Sequence, residues 1–447
     1  MTRTGDIAPP VVPAHVLPPD APIARWRYKP VIALERLPQA AYTWDDADPD
    51  VTWDDTTPQR VWDAPFVGQG FTDAACDFIA LDIDAGTADD LYLFPPVTAT
   101  LTLDNRTGEY TPWTADGRLV YWAPGRRMSV LADDGANRWW LFSGRVASWQ
   151  ANADGTVTVT AFDGLAWLAQ QLGGQQTFGA AGQTPAARVT AAATAAGYPD
   201  RIDADVGQVT LATVAAPDSP LEHIQRVALS DGGLFYGDAD GSLDYRDRAW
   251  RAGRADQTTA WVISDNVCTV PVVMWNPEAS TDDDRLATDV RLVNTAGLAA
   301  TATLTGSLWA GDARYRLTHP DPDLWQTQAQ GDALAAYLLA QQGTPSASLR
   351  SADLYALDPK QPAVFDYAVQ MRRGDRVRLL HDFVDPNGNP ATLDVYVVLL
   401  TIGHTITPDE WVTHLSMSRT VDVTQVERWD RTVFVWDQVD ARNVWRY

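Results

Sequence analysis

VTATLTLDNRTGEYTPW, residues 97–113, decides the fold class. Val97, Ala99, Leu101 and Leu103 alternate with Thr98, Thr100 and Thr102, and a period of two puts apolar and hydroxyl side chains on opposite faces of a strand. The same alternation returns at Thr156, Thr158 and Thr160 against Val157, Val159 and Ala161. Turn signals at Asp133-Asp134-Gly135 and Asp154-Gly155 separate the run ending at Val130, the run from Trp139 to Trp149 and the run starting at Thr156. Residues 67–172 therefore read as a first β-barrel or sandwich. Its closing helix is DGLAWLAQQLGG, with Asp163 as N-cap, Leu165, Leu168 and Leu172 on one face, and Gly173-Gly174 as the stop.

Working outward, residues 173–285 read as an α+β middle domain. Thr184-Pro185 opens one helix that ends at Gly197. Ser219-Pro220-Leu221-Glu222 has the form of a capping box and opens another, with Leu221, Ile224 and Ala228 as its apolar face. An Asp240-Gly241 hairpin follows. Strand patterning resumes after the acidic loop Asp282–Asp284, at Thr288–Val293 and Ala300–Leu304, and is interrupted by a helix carrying Leu334, Leu338 and Leu339. It continues from Arg376, through the DPNGNP turn at 385–390, to Met417, so residues 286–420 read as a second β-barrel domain. The expected fold is mainly β, with two β-barrel or sandwich domains flanking a mixed one.

Both ends read as extended arms, over 1–66 and 421–447. The first 25 residues are proline-rich, and proline removes backbone donors and fixes φ. Trp44, Trp53 and Trp62 lie nine residues apart, each followed by Asp, and Trp429, Trp436 and Trp445 echo them. Nine residues is too short for a solenoid repeat. Tryptophan gives large contact area at low entropic cost, so these six are the expected partner-docking residues.

The net charge of −24, from 58 acidic and 34 basic residues spread along the chain, opposes a nucleic-acid grip, which needs clustered cations. No stretch approaches the ~20 apolar residues of a membrane span, and the amino terminus lacks a signal-peptide core, so assembly without secretion or membrane insertion is expected. Cys76 and Cys268 are too few for a disulfide framework and lack zinc-site spacing. A nucleophile elbow, a zinc-binding helix motif and a phosphate loop are all missing. His15, His223, His319, His381, His404 and His414 are dispersed singly. Asp82 with Asp84, or Asp282–Asp284, could be cast as glycosidase acids, but alternate carboxylates are common by chance. Asp238, Asp240, Gly241 and Asp244 faintly follow a calcium loop but lack the distal glutamate, and a hairpin is the better reading. No catalytic, cofactor-binding or metal-ligating residue is named, and no cofactor is expected.

The succession VTATLTLDNRTGEYTPW, GRRMSVLADDG (125–135), WWLFSGRVASWQ (139–150) and DGTVTVTAFDGLAWLAQ (154–170) resembles the first domain of tail hub proteins of siphophages infecting actinobacteria, a family often labelled minor tail proteins. The likeness continues through SPLEHIQRVALSDGGLFYGDADGSLDYRDR (219–248), MRRGDRVRLLH (371–381) and VVLLTIGHTITPDEWVTHLSMS (397–418), covering roughly residues 70–420 in order. The specific feature is the order of the motifs. The resemblance implies a structural virion protein at the tail tip, not an enzyme. It implies a homotrimer whose paired β-barrels adapt a hexameric tail to a three-fold tip. Its partners would be a distal tail protein, the tape measure protein and other tail-tip or fibre proteins, with DNA only passing through the lumen. The alternatives are the distal tail protein itself, and a carbohydrate-binding or carbohydrate-cleaving tail-tip protein. The Trp-Asp arms are not part of the resemblance.

Overall fold

A computed structural model describes residues 29–35, 71–86, 94–113, 122–134, 136–170, 179–213, 219–250, 261–266, 272–280, 287–305, 316–319, 322–343, 348–384 and 387–419. In the first β-region lie β1 (Lys29–Glu35), β2 (Phe71–Asp73), β3 (Phe78–Asp84), β4 (Thr98–Asp104), β5 (Arg127–Asp133), β6 (Arg138–Ala151) and β7 (Thr156–Phe162). The middle of the chain adds α1 (Gly164–Gln170), α2 (Pro185–Ala195), β8 (Ile202–Ala204), α3 (Pro220–Asp231), β9 (Leu234–Gly237) and β10 (Leu243–Arg246). Then come β11 (Trp261–Ser264), β12 (Trp275–Ser280), β13 (Asp289–Val293), β14 (Ala299–Thr303), β15 (Arg316–His319) and α4 (Gln328–Gln342). The chain continues with β16 (Ser348–Tyr355), α5 (Ala363–Gln370), β17 (Arg376–Val384), β18 (Pro390–Ile406) and β19 (Trp411–Arg419).

The mainly β expectation holds. The alternation in β4 and β7 works as read: Ala99, Leu101, Leu103, Val157, Val159 and Ala161 are all fully buried, and the two strands pair antiparallel over their length. Thr184 caps α2 by accepting from Ala187 N at 3.3 Å, and Ser219 caps α3 by accepting from Glu222 N at 3.1 Å. Gly232 ends α3 at φ 72°, the left-handed conformation that glycine adopts without steric penalty.

Three features differ from the sequence reading. Lys29–Glu35 was expected within an extended arm, yet β1 is a sheet strand between β5 and β2, with Val31, Ile32, Ala33 and Leu34 at most 2% exposed. A short apolar run framed by prolines gives no periodicity, so only its tertiary partners reveal it.

The two β-regions are also joined edge to edge. The order β12-β16-β19-β18-β3-β4-β7-β6-β5-β1-β2 forms one hydrogen-bonded path, with β17 and β11 branching from β18 in a 13-stranded sheet. The seam is β18 against β3, with His404, Thr405 and Ile406 opposite Ile83, Asp82 and Leu81. Gly403 permits it, because a Cβ there would lie 2.8 Å from the Ile83 carbonyl oxygen.

The third difference is that domain membership interleaves. β11 and β12, assigned to the middle by sequence, lie in the large sheet, where Ile263, Val272 and Met274 share a core with Leu354, Val377 and Leu399. The β14-β13-β15 sheet and α4, assigned to the second β-domain, instead pack with α2 and α3: Val290, Leu292, Trp325 and Leu334 share a core with Val189 and Ile224. Periodicity identifies a strand but says nothing of which sheet receives it.

Candidate functional site

Three places gather polar chemistry, and each is built across elements distant in sequence. The first is a row across the exposed face of the seam. Asn276 Nδ2 donates to Asp353 Oδ2 (2.8 Å), Asp353 Oδ1 lies 2.8 Å from His414 Nδ1, His414 Nε2 lies 3.1 Å from Thr405 Oγ1, and Thr405 Oγ1 donates to Asp82 Oδ1 (2.9 Å). Asp353, His414 and Thr405 thus follow the acid, base and hydroxyl order of a nucleophilic relay. Thr405 Oγ1 stands between Asp82 Oδ1 and His414 Nε2, and its single proton can serve only one of them. The row ties five strands together across their exposed face, and its worth lies in register.

The second place is the junction of both β-regions with the middle region. A cavity of about 50 Å³ is lined there by Ile83, Phe142, Asp163, Asp238, Arg373 and His404 among others. Asp163 sits at the start of α1 with Oδ1 accepting from Leu165 N at 3.1 Å, while Oδ2 is buried without a hydrogen-bond partner. Burial pushes its pKa up to about 6, against the opposing pull of the Arg373 guanidinium. Arg373 Nη1 is likewise buried and unpartnered, and the guanidinium carbon lies 5.7 Å from the Phe94 ring centroid and 5.8 Å from that of Tyr236. Burial lowers the pKa of Arg373, with the Asp163 charge the main opposing influence. His404 is held neutral by burial, which pushes it down to about 3, and accepts at Nδ1 from Trp411 Nε1 (3.3 Å). A space of this volume, faced by a carboxylate oxygen and a guanidinium nitrogen, is large and polar enough for water.

The third is a carboxylate web around Arg246, which contacts Asp203 (2.8 Å), Asp244 (2.7 Å) and Asp205 (3.4 Å). Asp231 accepts from Tyr245 Oη and from Gln208 N, both at 2.6 Å. These carboxylates are held by protein donors, and among the described residues no group of three or more His, Cys, Asp or Glu side chains is placed to hold a metal. Asp240, Gly241 and Asp244 form the expected hairpin: Asp240 Oδ1 accepts from Ser242 N (2.9 Å), and β9 pairs with β10.

The sequence-derived docking residues Trp44, Trp53, Trp62, Trp429, Trp436 and Trp445 lie outside the described residues, as do Asp282–Asp284, Cys268 and His15. Asp82 and Asp84 are exposed on one face of β3. His223 is buried and pushed down to about 4 by burial and by Arg188 and Arg226, while His381 Nδ1 lies 2.6 Å from Asp265. Sequence reading found Asp163 as a cap but not its meeting with Arg373, for which the chain carries no local signal.

No family model matches the chain and no curated protein matches it. Solved structures do. The tail protein from Neisseria meningitidis MC58 superposes with a TM-score of 0.54 at 12% identity, over 88% of this chain and 98% of that one. The two chains share one fold. The 43 kDa tail protein of prophage MuSo2 from Shewanella oneidensis gives a TM-score of 0.47 at 15% identity, over 77% of this chain and 93% of that one. Prophage tail protein gp18 from Listeria monocytogenes EGD-e gives 0.41 at 12% identity, over 79% and 94%.

Proposed function

We propose that the chain is a structural protein of a phage tail, and within it the hub at the tail tip. What carries this reading is the fold shared with the Neisseria tail protein across nearly all of both chains, reached independently of the motif order over residues 70–420. The hub assignment rests on that motif order. A homotrimer would set the paired β-regions around a three-fold axis, with a distal tail protein on one face and the tape measure protein in the lumen. The charge of −24 suits a passage to which DNA does not adhere. Negative-stain images of purified particles are expected to show a three-fold ring with a central hole; a lone compact body overturns the hub reading, and a six-fold ring favours a distal tail protein.

The Trp-Asp segments supply the docking surface in this reading, with tryptophan as anchor and aspartate keeping the chain soluble before assembly. Glu35 and Phe71 are opposite one another in the β1–β2 pairing, so deleting residues 1–66 would remove a sheet strand as well as the tryptophans. Alanine at Trp44, Trp53 and Trp62 together is the cleaner variant. It is expected to leave the unfolding midpoint of the purified chain unchanged and to abolish incorporation into tails; normal incorporation would refute the docking role.

A further inference from the structure

Strand β1 occupies an unusual position for its place in the chain. It lies between β5 and β2, antiparallel to both, with Lys29–Leu34 opposite Asp133–Met128 and Ala33–Glu35 opposite Asp73–Phe71. Four consecutive residues, Val31 to Leu34, are at most 2% exposed, so both faces of the strand are covered, and Ile32 and Leu34 belong to the core of the first β-region. Glu35 fixes the end by accepting from Arg127 N at 2.8 Å. The groove between β5 and β2 is therefore shaped for this segment on both edges and both faces.

The connection does not match the geometry. Glu35 and Phe71 are direct register partners, and neighbouring antiparallel strands whose ends face each other are ordinarily joined by about 2–5 residues. Here 35 residues, 36–70, intervene. At roughly 3.3–3.6 Å per extended residue such a connection reaches on the order of 100 Å, far beyond the adjacent strand and ample to cross to a neighbouring subunit.

We propose that β1 is an exchangeable strand, and that in the assembled protein it seats between β5 and β2 of a second copy of this chain. The receiving groove is identical in every copy, so a strand given and a strand received form the same hydrogen bonds and bury the same side chains. Exchange closes around a symmetric ring at the cost only of ordering the connections. The occupant is Val31–Leu34 of another copy. The proposal is independent of whether the oligomer is a tail component.

The test uses the full chain with Cys76→Ser and Cys268→Ser. Ala33 and Ser129 are register partners and both fully buried, so cysteines at the two positions face each other across one strand pair. One chain carrying Ala33→Cys is co-expressed with another carrying Ser129→Cys, purified and mildly oxidised. A species of twice the chain mass, joining positions 33 and 129, is expected in the mixture and absent from either variant alone. A third chain carrying both substitutions is the control for folding and for pairing within one polypeptide. If that chain bridges internally while the mixture gives no linked species, β1 stays with its own polypeptide and the proposal fails. If the doubly substituted chain gives no bridge within or between polypeptides, the β1–β5 register is wrong and the proposal fails with it.

Discussion

Replacing Arg373 by methionine is expected to destabilise the protein by about 1–3 kcal/mol at neutral pH, because the buried Asp163 carboxylate then loses the nearby positive charge that favours its ionised form. Asp163 is 5% exposed and its Oδ2 has no hydrogen-bond partner, and the charge of Arg373, which lines the same cavity, is the main influence favouring its ionised form. The loss should shrink at acid pH, where Asp163 is protonated and neutral.

The companion variant, Asp163→Asn, isolates the sign. Asp163 has a folded pKa of about 6, above its ordinary value of 3.8, so between those values the folded chain binds more protons than the unfolded one. Its contribution to stability is present below the ordinary value and is lost as pH rises through about 6. The asparagine variant should therefore gain on the wild type by on the order of 3 kcal/mol between about pH 4 and pH 7. His223 and His404 act in the opposite sense. Depressed to about 4 and about 3, they contribute stability that is present above the ordinary value of 6.5 and lost as pH falls through those values. The difference between variant and wild type cancels their effect. Urea midpoints across that range are the measurement. A flat difference, or a cost below about 1 kcal/mol for Arg373→Met, would show that the pair does not hold the junction.

Replacing Trp411 by alanine should cost about 3–5 kcal/mol, the range for removing a large aromatic from a core. Trp411 is 1% exposed and starts β19 beside the seam. Its ring meets Phe365 at 5.5 Å and His404 at 6.0 Å, both edge-on, and its Nε1 donates to His404. The core it completes belongs mostly to β3–β7, with Ala356, Phe365, Ala368 and Ile406 contributed from late in the chain. One cooperative transition for both β-regions is therefore expected in the wild type, at a lower urea concentration in the variant. Two separate transitions in the wild type would mean that the seam does not couple them.

Much of the local structure was legible in the chain. Alternation in β4 and β7 and the caps Thr184 and Ser219 identify their elements, because each depends on neighbours within a few residues. β16 and α5 escaped notice: Arg350 and Asp353 break the apolar pattern of one, and the other is short and lacks a side-chain cap. The polar row from Asn276 to Asp82 was equally hidden, since its members come from five strands and, apart from His414 and Thr405, adjacent members lie far apart in the chain.

The sequence by itself determined many of the strands and helices and where many of the turns fall, since dihedral preference and side-chain period are local properties. It also determined that the chain carries strong net negative charge. Only the tertiary structure decided that β18 meets β3, that β11–β12 and β13–β15 go to different cores, that β1 enters the sheet and that Asp163 faces Arg373. Strand edges carry the same backbone donors and acceptors whatever their sequence, so partner choice rests on which surfaces exclude water together, and that is a property of the folded whole.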